Sequence, residues 1–303
     1  MNGMMDYLFK GKLDKIDIKM LDALRHDARI SLKDISSKCR ISKQTALYRL
    51  KRFVDNNIIK GFHAKIDYAR LRYSTYYVFI QTRYIENEKE FIADLSKIHG
   101  CIVIMKSVTQ YNYNLKILTK DAYAMTTELE EFFNKRKNVT SHFILQRLDA
   151  TKDVYSLDAA DKSILQELCL DCRLNSLEIS KKTGIGYDAV HNRIKKLIKD
   201  KIIMNFTTVM NFDNLMYYGI LLKFADDQLD KLAVFDSMLK LDPLVVERYK
   251  CLGEFSYIFE IVDKDYKSIN EKLNKIRSQF HGLIRNSQLV PIENHYFYKA
   301  RLD

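Results

Sequence analysis

Along residues 13–62 apolar positions recur at spacings of three and four, in blocks separated by polar turns. In the first block, Leu13 to Leu24, that spacing puts Ile16, Met20, Leu21 and Leu24 on one side of a helix. Ser31 caps a second, shorter helix reaching Cys39, with Leu32 and Ile35 facing inward. The turn from Cys39 to Ser42 opens the third block, which Ser42 caps and whose apolar back is Ala46, Leu50, Phe53 and Val54. Its front carries Lys43, Gln44, Thr45, Tyr48 and Arg49, with Lys51 and Arg52 further along. A basic helix face by itself is usually only a solvated face. Helix, short helix, tight turn and basic helix in that order is a helix-turn-helix, whose last helix enters a DNA major groove.

The pattern then changes to that of strands. Ile58 to Phe62 reads as a strand of a small wing, and Tyr76 to Tyr84 as a strand rich in β-formers. Glu88 to Ile98 is a helix with Phe91, Ile92 and Leu95 at helical spacing, followed by strands Cys101 to Met105 and Tyr113 to Leu118. Asp121 caps a helix carrying Met125, Leu129, Phe132 and Phe133, and Val139 to Leu145 is the last strand. Strand, helix, strand, strand, helix, strand is the ferredoxin-like split βαβ order. Aromatic side chains in these strands are expected to pack in the core rather than stack on single-stranded nucleic acid.

The whole pattern is written twice. At an offset of 144 with no gap, residues 13–62 match 157–206 at 16 of 50 positions, among them Asp27 with Asp171, Arg29 with Arg173 and Arg49 with Arg193. The offset persists downstream, where Phe91 meets Phe235, Leu95 meets Leu239 and Tyr113 meets Tyr257. The second copy's elements follow at Tyr217–Phe224, Leu229–Leu239, Val245–Lys250, Phe255–Val262, Tyr266–Phe280 and Arg285–Val290. The expected fold is therefore α+β: two winged helix-turn-helix domains alternating with two ferredoxin-like βαββαβ domains. Their expected bounds are 1–62, 63–150, 151–206 and 207–303.

Charge narrows the partner. The formal net charge is +11, and residues 13–62 contribute twelve Lys/Arg against six Asp, while 157–206 contribute nine against seven acidic residues. The two helix-turn-helix segments thus hold +6 and +2 of the excess, which steers toward a polyanion, double-stranded DNA. No apolar run reaches membrane-spanning length, and Met1 to Asp6 lacks a basic-then-apolar signal pattern, so a cytoplasmic protein with no membrane partner is expected. Five Cys at irregular spacing read as reduced thiols. Cys169 and Cys172 form a lone CxxC near a helix end, short of the four ligands of a structural zinc, so no metal or other cofactor is expected. His63 and His142 fall in strands, where a structural role fits, whereas His191 falls on the second recognition helix and is a candidate DNA contact.

These residues carry a family resemblance. Leu13-Asp-Lys-Ile-Asp17, Asp27-Ala-Arg-Ile-Ser31, Ile35-Ser36, Ile41-Ser42, Arg49-Leu-Lys-Arg52 and Ile58-Ile-Lys-Gly-Phe62 resemble the leucine-responsive regulatory protein/AsnC (Lrp/AsnC) family of prokaryotic transcription regulators. The second copy matches through Leu157-Asp-Ala-Ala-Asp161, Asp171-Cys-Arg173, Arg193-Ile-Lys-Lys-Leu197 and Ile202-Ile203. The resemblance implies a helix-turn-helix joined to an effector domain that dimerises through its sheet and, in many members, binds an amino acid. A tandem then implies an intramolecular pseudo-dimer, with sheet edges and helices left for further association of chains. Family effector domains carry a Gly-x-aromatic-Asp turn near the ligand. Here the turns read Thr109-Gln-Tyr-Asn112 and Gly253-Glu-Phe-Ser256, so Thr109, Asn112, Gly253 and Ser256 are the candidate effector residues. Neither Asn nor Ser supplies the carboxylate that would hold an ammonium group, which counts against a standard amino acid as effector.

The two recognition helices are not alike. Where the first presents Ser42, Lys43, Gln44, Thr45 and Tyr48, the second presents Gly186, Tyr187, Asp188, Ala189 and Asn192. Gln44 and Asn192 can bond adenine bidentately, and Asp188 can accept from cytosine N4. Lys43, Arg49, Arg52, Arg193, Lys195 and Lys196 are assigned to phosphates. Arg49 and Arg193 share a repeat position, so pairing with a carboxylate of the first helix is an equal alternative for them. The favoured reading is a sequence-specific DNA-binding regulator without catalysis. Two alternatives stand beside it. One is a fused enzyme like the sirohaem decarboxylases of tetrapyrrole synthesis, which Phe62-His-Ala-Lys65 matches only loosely. The other is a DNA-coating chromatin protein of low specificity.

Overall fold

A computed structural model describes residues 7–8, 13–149, 153–211, 215–225 and 230–298. Met1–Asp6, the expected boundary at Ala150–Thr151 and the expected helix start Leu229 lie outside the described residues. In the first copy the elements are α1 (Lys15–His26), α2 (Leu32–Cys39), α3 (Lys43–Asp55), β1 (Ile59–Ile66), β2 (Ser74–Thr82), α4 (Glu88–Leu95), β3 (Cys101–Ser107), β4 (Tyr113–Thr119), α5 (Ala122–Asn134) and β5 (Val139–Arg147). The second copy runs α6 (Ala159–Leu170), α7 (Ser176–Thr183), α8 (Tyr187–Lys199), β6 (Ile203–Met210), β7 (Met216–Phe224), α9 (Asp230–Leu241), β8 (Val245–Leu252), β9 (Tyr257–Asp263), α10 (Tyr266–Gln279) and β10 (Ile284–Phe297). Two compact units result, and each draws on both copies. One takes the described residues of Met1–Arg72 and Thr151–Asn211, the other those of Tyr73–Ala150 and Phe212–Ala300.

In the first unit, short polar side chains start the helices. The Asp14 carboxylate accepts from the Asp17 amide, Ser31 from Asp34 and Ser42 from Thr45, each bond satisfying a first-turn donor that has no helical partner. Asp158 and Asn175 do the same for α6 and α7, whereas Gly186 gives α8 no side-chain cap. Met20, Leu21, Leu24, Ile35, Ala46 and Phe53 close over one core, and Ile164, Leu165, Leu168, Ile179, Val190 and Leu197 over its copy. Val54, expected on the apolar back of α3, is exposed. It lies about 100° round the helix from buried Phe53, beyond the edge of the apolar stripe.

The strand expected to form a wing of its own head does something else. β1 pairs antiparallel with β6 of the other copy, with Phe62 opposite Thr208 and Ala64 opposite Phe206. Each strand also holds the other head. The Ala28 amide donates to the Phe206 carbonyl at 3.0 Å, and the Cys172 amide to the Phe62 carbonyl at 2.7 Å. The guanidinium of Arg29 lies over the Phe206 ring at 5.0 Å, and that of Arg173 over Phe62 at 5.3 Å. These contacts recur at the repeat offset, so the two heads are related by a pseudo-two-fold.

The second unit closes the sheets of both copies into one barrel of strand order β10-β3-β4-β2-β5-β8-β9-β7. Within it β5-β2-β4-β3 and β10-β7-β9-β8 are the two ferredoxin-like sheets. Period-two alternation sorts the side chains. Tyr76, Val78 and Ile80 of β2 pack with Phe91, Leu95, Met125 and Leu129 under the helices, while Tyr77 and Phe79 face the interior with Leu145, Leu221, Tyr249 and Ile258. The strand aromatics are core, as expected, with Tyr77 stacked on Tyr249 at 5.3 Å and Phe79 on Phe143 at 4.6 Å. Three strand ends differ from expectation. β2 stops at Thr82, leaving Tyr84 exposed, and Phe255 lies in the turn before β9. β10 runs on from Val290 to Phe297 because it changes partner: Ile284 to Pro291 pair with β7, and Ile292 to Phe297 with β3. Proline, which cannot donate to a ladder, sits at that handover. The matching seam is shorter, with β5 meeting β8 only at Gln146–Leu252 and Arg147–Cys251.

Gly100 and Gly184 separate two effects of substitution. Both have positive φ, but a Cβ at Gly100 would stand 2.0 Å from the Leu118 carbonyl oxygen, and at Gly184 it would meet nothing within 4 Å. Gly184→Ala is expected to cost about 1–2 kcal/mol of strain alone, and Gly100→Ala more than about 3 kcal/mol. Urea midpoints of the two variants against the parent protein check the difference.

Candidate nucleic-acid interface

The two third helices, α3 and α8, carry the candidate DNA-reading side chains. On α3 the buried back of Ala46, Leu50 and Phe53 turns Lys43, Gln44, Tyr48 and Lys51 outward, with Tyr48 67% exposed. Ser42 is exposed but spent on the cap, accepting from the Thr45 amide at 3.0 Å, and its hydroxyl lies 2.9 Å from that of half-buried Thr45. On α8, Tyr187, Asp188, His191, Asn192, Lys195 and Lys196 are exposed. The Tyr187 and His191 rings lie parallel, their centroids 6.2 Å apart.

The arginines turn inward. Arg49 Nη1 donates to Asp14 and to Asp17, both at 2.6 Å, and Arg52 Nη2 donates to the other Asp17 oxygen at 2.5 Å. Asp17 is only 3% exposed, so its charge is matched inside the head rather than by water. Arg193 repeats the arrangement with Asp158 at 2.6 Å and Asp161 at 2.8 Å. The phosphate assignment of Arg52 is therefore corrected, and of the two readings open for Arg49 and Arg193 the carboxylate pairing is the one formed: these guanidiniums fasten the recognition helix to the start of the first helix. Lys196, at the repeat position of Arg52, instead lies with its ammonium 5.8 Å from the Tyr155 ring. One exposed α3 residue, Leu47, was left out of the expected front, and it stands at the repeat position of His191. Lys51, named further along that front but given no phosphate, stands at the position of Lys195, an identity visible in the sequence.

Comparison with known proteins bears on what such heads do. Residues 13–60 and 157–204 each match the family described as winged helix-turn-helix DNA-binding. The HTH-type transcriptional regulator FL11 of Pyrococcus furiosus is 31% identical over 122 residues, 40% of this chain and 81% of its own length. The FL11 regulator of Pyrococcus abyssi is 31% identical over 140 residues, 46% of this chain and 92% of its own. The chain belongs to the Lrp/AsnC family. It is a DNA-binding transcription regulator that carries the Lrp/AsnC unit twice. The solved structure of the sirohaem decarboxylase NirDL covers 95% of this chain and 93% of its own at a TM-score of 0.63 and 13% identity, a likeness of fold.

The Lrp/AsnC effector turns are occupied by the fold itself. Asn112 Oδ1 accepts from the Thr82 amide at 2.7 Å, and Ser256 Oγ from the Phe224 amide at 3.3 Å. Thr109 bonds Ser107 through both its amide and its hydroxyl. Gly253 has a φ of +134°, and a Cβ there would lie 2.8 Å from the Ile144 carbonyl oxygen, so the position serves a close approach of backbones. The aromatic members of the turns, Tyr111 and Phe255, both pack on Phe143 in the barrel. No group of three His, Cys, Asp or Glu among the described residues is arranged to hold a metal ion. No helix among them is long and apolar enough to cross a membrane.

The carboxylates that hold the arginines set a pH dependence. Burial pushes the Asp14 carboxyl up, but the Asp17 amide and the Arg49 guanidinium outweigh it, and the net is below the ordinary carboxylate range. The Asp161 amide and Arg193 lower Asp158 in the same way. Carboxyls lowered by folding stabilise the folded state above their unfolded pKa and lose that contribution as pH falls through the folded value. Between about pH 5 and pH 3 the melting temperature is therefore expected to fall, and to fall less in the Asp14→Asn/Asp158→Asn double variant. Calorimetry across that range checks it.

Proposed function

We propose that the chain reads one asymmetric operator with two unlike heads and carries no catalysis. The observation behind this reading is the contrast of the outward faces. Lys43, Gln44, Tyr48 and Lys51 stand on one head, and Tyr187, Asp188, His191, Asn192 and Lys195 on the other. Lys43 and Lys51 position the first head on phosphates while Gln44 bonds a base edge. On the second head Asn192 and Asp188 reach base edges, and Lys195 and Lys196 hold the backbone. Asp188 repels phosphate, so the first head supplies more of the affinity.

In this reading the heads act as an intramolecular pseudo-dimer on cytoplasmic DNA, and the two effector-type halves carry any response to a small molecule. Thr109, Asn112, Gly253 and Ser256 shape the turns of those halves rather than ligate a standard amino acid. Since both half-site readers travel in one chain, DNA binding is first order in protein at all concentrations.

Selection of bound sequences from a random duplex pool, at roughly physiological salt, tests the reading. An enriched site with two unlike half-sites about one helical turn apart, or a multiple of it, is expected. Binding without enrichment would favour a coating protein, and no binding would redirect the search to tetrapyrrole absorbance. On the selected site Lys43→Glu is expected to weaken binding at least about tenfold, and Tyr187→Glu by less. The reverse order would overturn the unequal roles of the heads.

A further inference from the structure

The barrel interior is mostly apolar, with one buried amide among the hydrophobic side chains. Asn114 of β4 faces inward, opposite Phe79 on one neighbouring strand and Met105 on the other. It is 1% exposed, and among the described residues neither its amide nitrogen nor its carbonyl oxygen finds a hydrogen-bond partner. A buried amide left so costs about 1–3 kcal/mol per unmade bond, more than an apolar residue would at the same place. The repeat partner of Asn114 is Ile258, so the fold does not need a polar residue at this position. Asn114 lines a small pocket, partly open to solvent, together with Tyr77, Phe79, Gly219, Glu260 and Ile292.

Glu260 reaches this pocket from the opposite half of the barrel, on β9, where it accepts the Tyr217 hydroxyl. Its cross-strand neighbour is Gly219. A methyl group at Gly219 would meet only Val290, at 3.8 Å, so the missing side chain leaves room beside the carboxylate. In the first copy Tyr77 pairs with Lys116 where the second pairs Gly219 with Glu260, so the arrangement belongs to one side of the pseudo-two-fold.

We infer that this pocket binds the head group of a neutral primary carboxamide, R–CONH2, with R directed to the opening. The side-chain amide of Asn114 presents one donor edge and one acceptor edge, and a carboxamide presents their complement. The second N–H of the ligand then points to Glu260, a carboxylate able to accept several bonds. A carboxylate ligand has no N–H to donate to the Asn114 oxygen or to Glu260. An ammonium ligand has no acceptor for the Asn114 nitrogen. Phe79 and Ile292 line an apolar wall for a slender R group. The site stands on the barrel alone and is independent of how the heads read DNA.

The test uses the full chain and three small compounds of similar shape: propionamide, propionate and propylammonium. The readouts are the nuclear magnetic resonance signals of the Asn114 side-chain NH2, assigned by their loss in Asn114→Leu, and the melting temperature. Propionamide is expected to move those signals saturably and to raise the melting temperature, while the other two at equal concentration do neither. The melting response should vanish in Asn114→Leu, a change that keeps the branching and the number of side-chain heavy atoms. If that variant does not fold, Asn114→Asp, which loses the donor, should weaken propionamide by at least about tenfold. Equal responses to all three compounds, or unmoved Asn114 signals, would mean that the pocket holds only water and would overturn the inference. DNA binding measured on the same samples keeps that failure separate from a failure of the operator reading.

Discussion

An open sheet edge exposes amides and carbonyls spaced for pairing with another strand, and that exposure has to be covered. In this chain each copy covers the other's edges. β1 and β6 have only each other as ladder partners. In the barrel the last strand of each sheet reaches the second strand of the other, β10 to β3 and β5 to β8. Covering edges in this way fixes more than hydrogen bonds. The turn after α1 is held by β6 and the turn after α6 by β1, so a head cannot leave its partner without losing Ala28–Phe206 or Cys172–Phe62 pairing. The connection through one chain makes this pairing unimolecular, and it persists at any dilution.

With the heads so joined, the next constraint is the tilt of each recognition helix. Arg49 and Arg193 link the third helix to carboxylates at the start of the first, across 32 and 35 residues of sequence in both copies. Bonds from one guanidinium to two carboxylates, one of them buried, are stiffer than the long surface contacts a lysine makes. Orientation is thus set from behind, by groups spent on the contact with the first helix. The front is then free to differ, and it does: the four positions after the cap are Lys-Gln-Thr-Ala in one copy and Tyr-Asp-Ala-Val in the other.

Local signals were readable in the sequence because they act over a few residues. The caps read at Ser31, Ser42 and Asp121 all formed, and helical or alternating periodicity located the helices and the barrel strands, with the end of β10 the largest miss. What stayed hidden were choices of partner. Alternation says which face of β1 is buried but not which edge it will share, so its pairing with β6 of the other copy could not be read. Ile292 to Phe297 mixes apolar and charged residues because β10 has left its own sheet, and its continuation could not be read from a core pattern. Arg52 looked like a phosphate ligand because its carboxylate, Asp17, lies a whole motif away, whereas the shared repeat position of Arg49 and Arg193 already left carboxylate pairing open for them. Asn112 and Ser256 look like ligand groups until the strand whose amide each accepts is known.

Symmetry is therefore kept in the backbone and lost in the side chains, on the outward faces of the heads and inside the barrel. A dimer of identical subunits must present the same residues on both halves of its two-fold. A tandem is under no such demand. At the heads, exposed Gln44 on one has exposed Asp188 as its copy on the other. In the barrel, Asn114 stands opposite a site whose copy is Ile258, and Glu260 opposite one whose copy is Lys116. A ligand centred on the axis of a symmetric barrel would have to match itself under rotation. An off-axis pocket with an amide from one copy and a carboxylate from the other can hold a group with no symmetry of its own. The same covalent link that removes the need for dimerisation thus removes the need for matching halves.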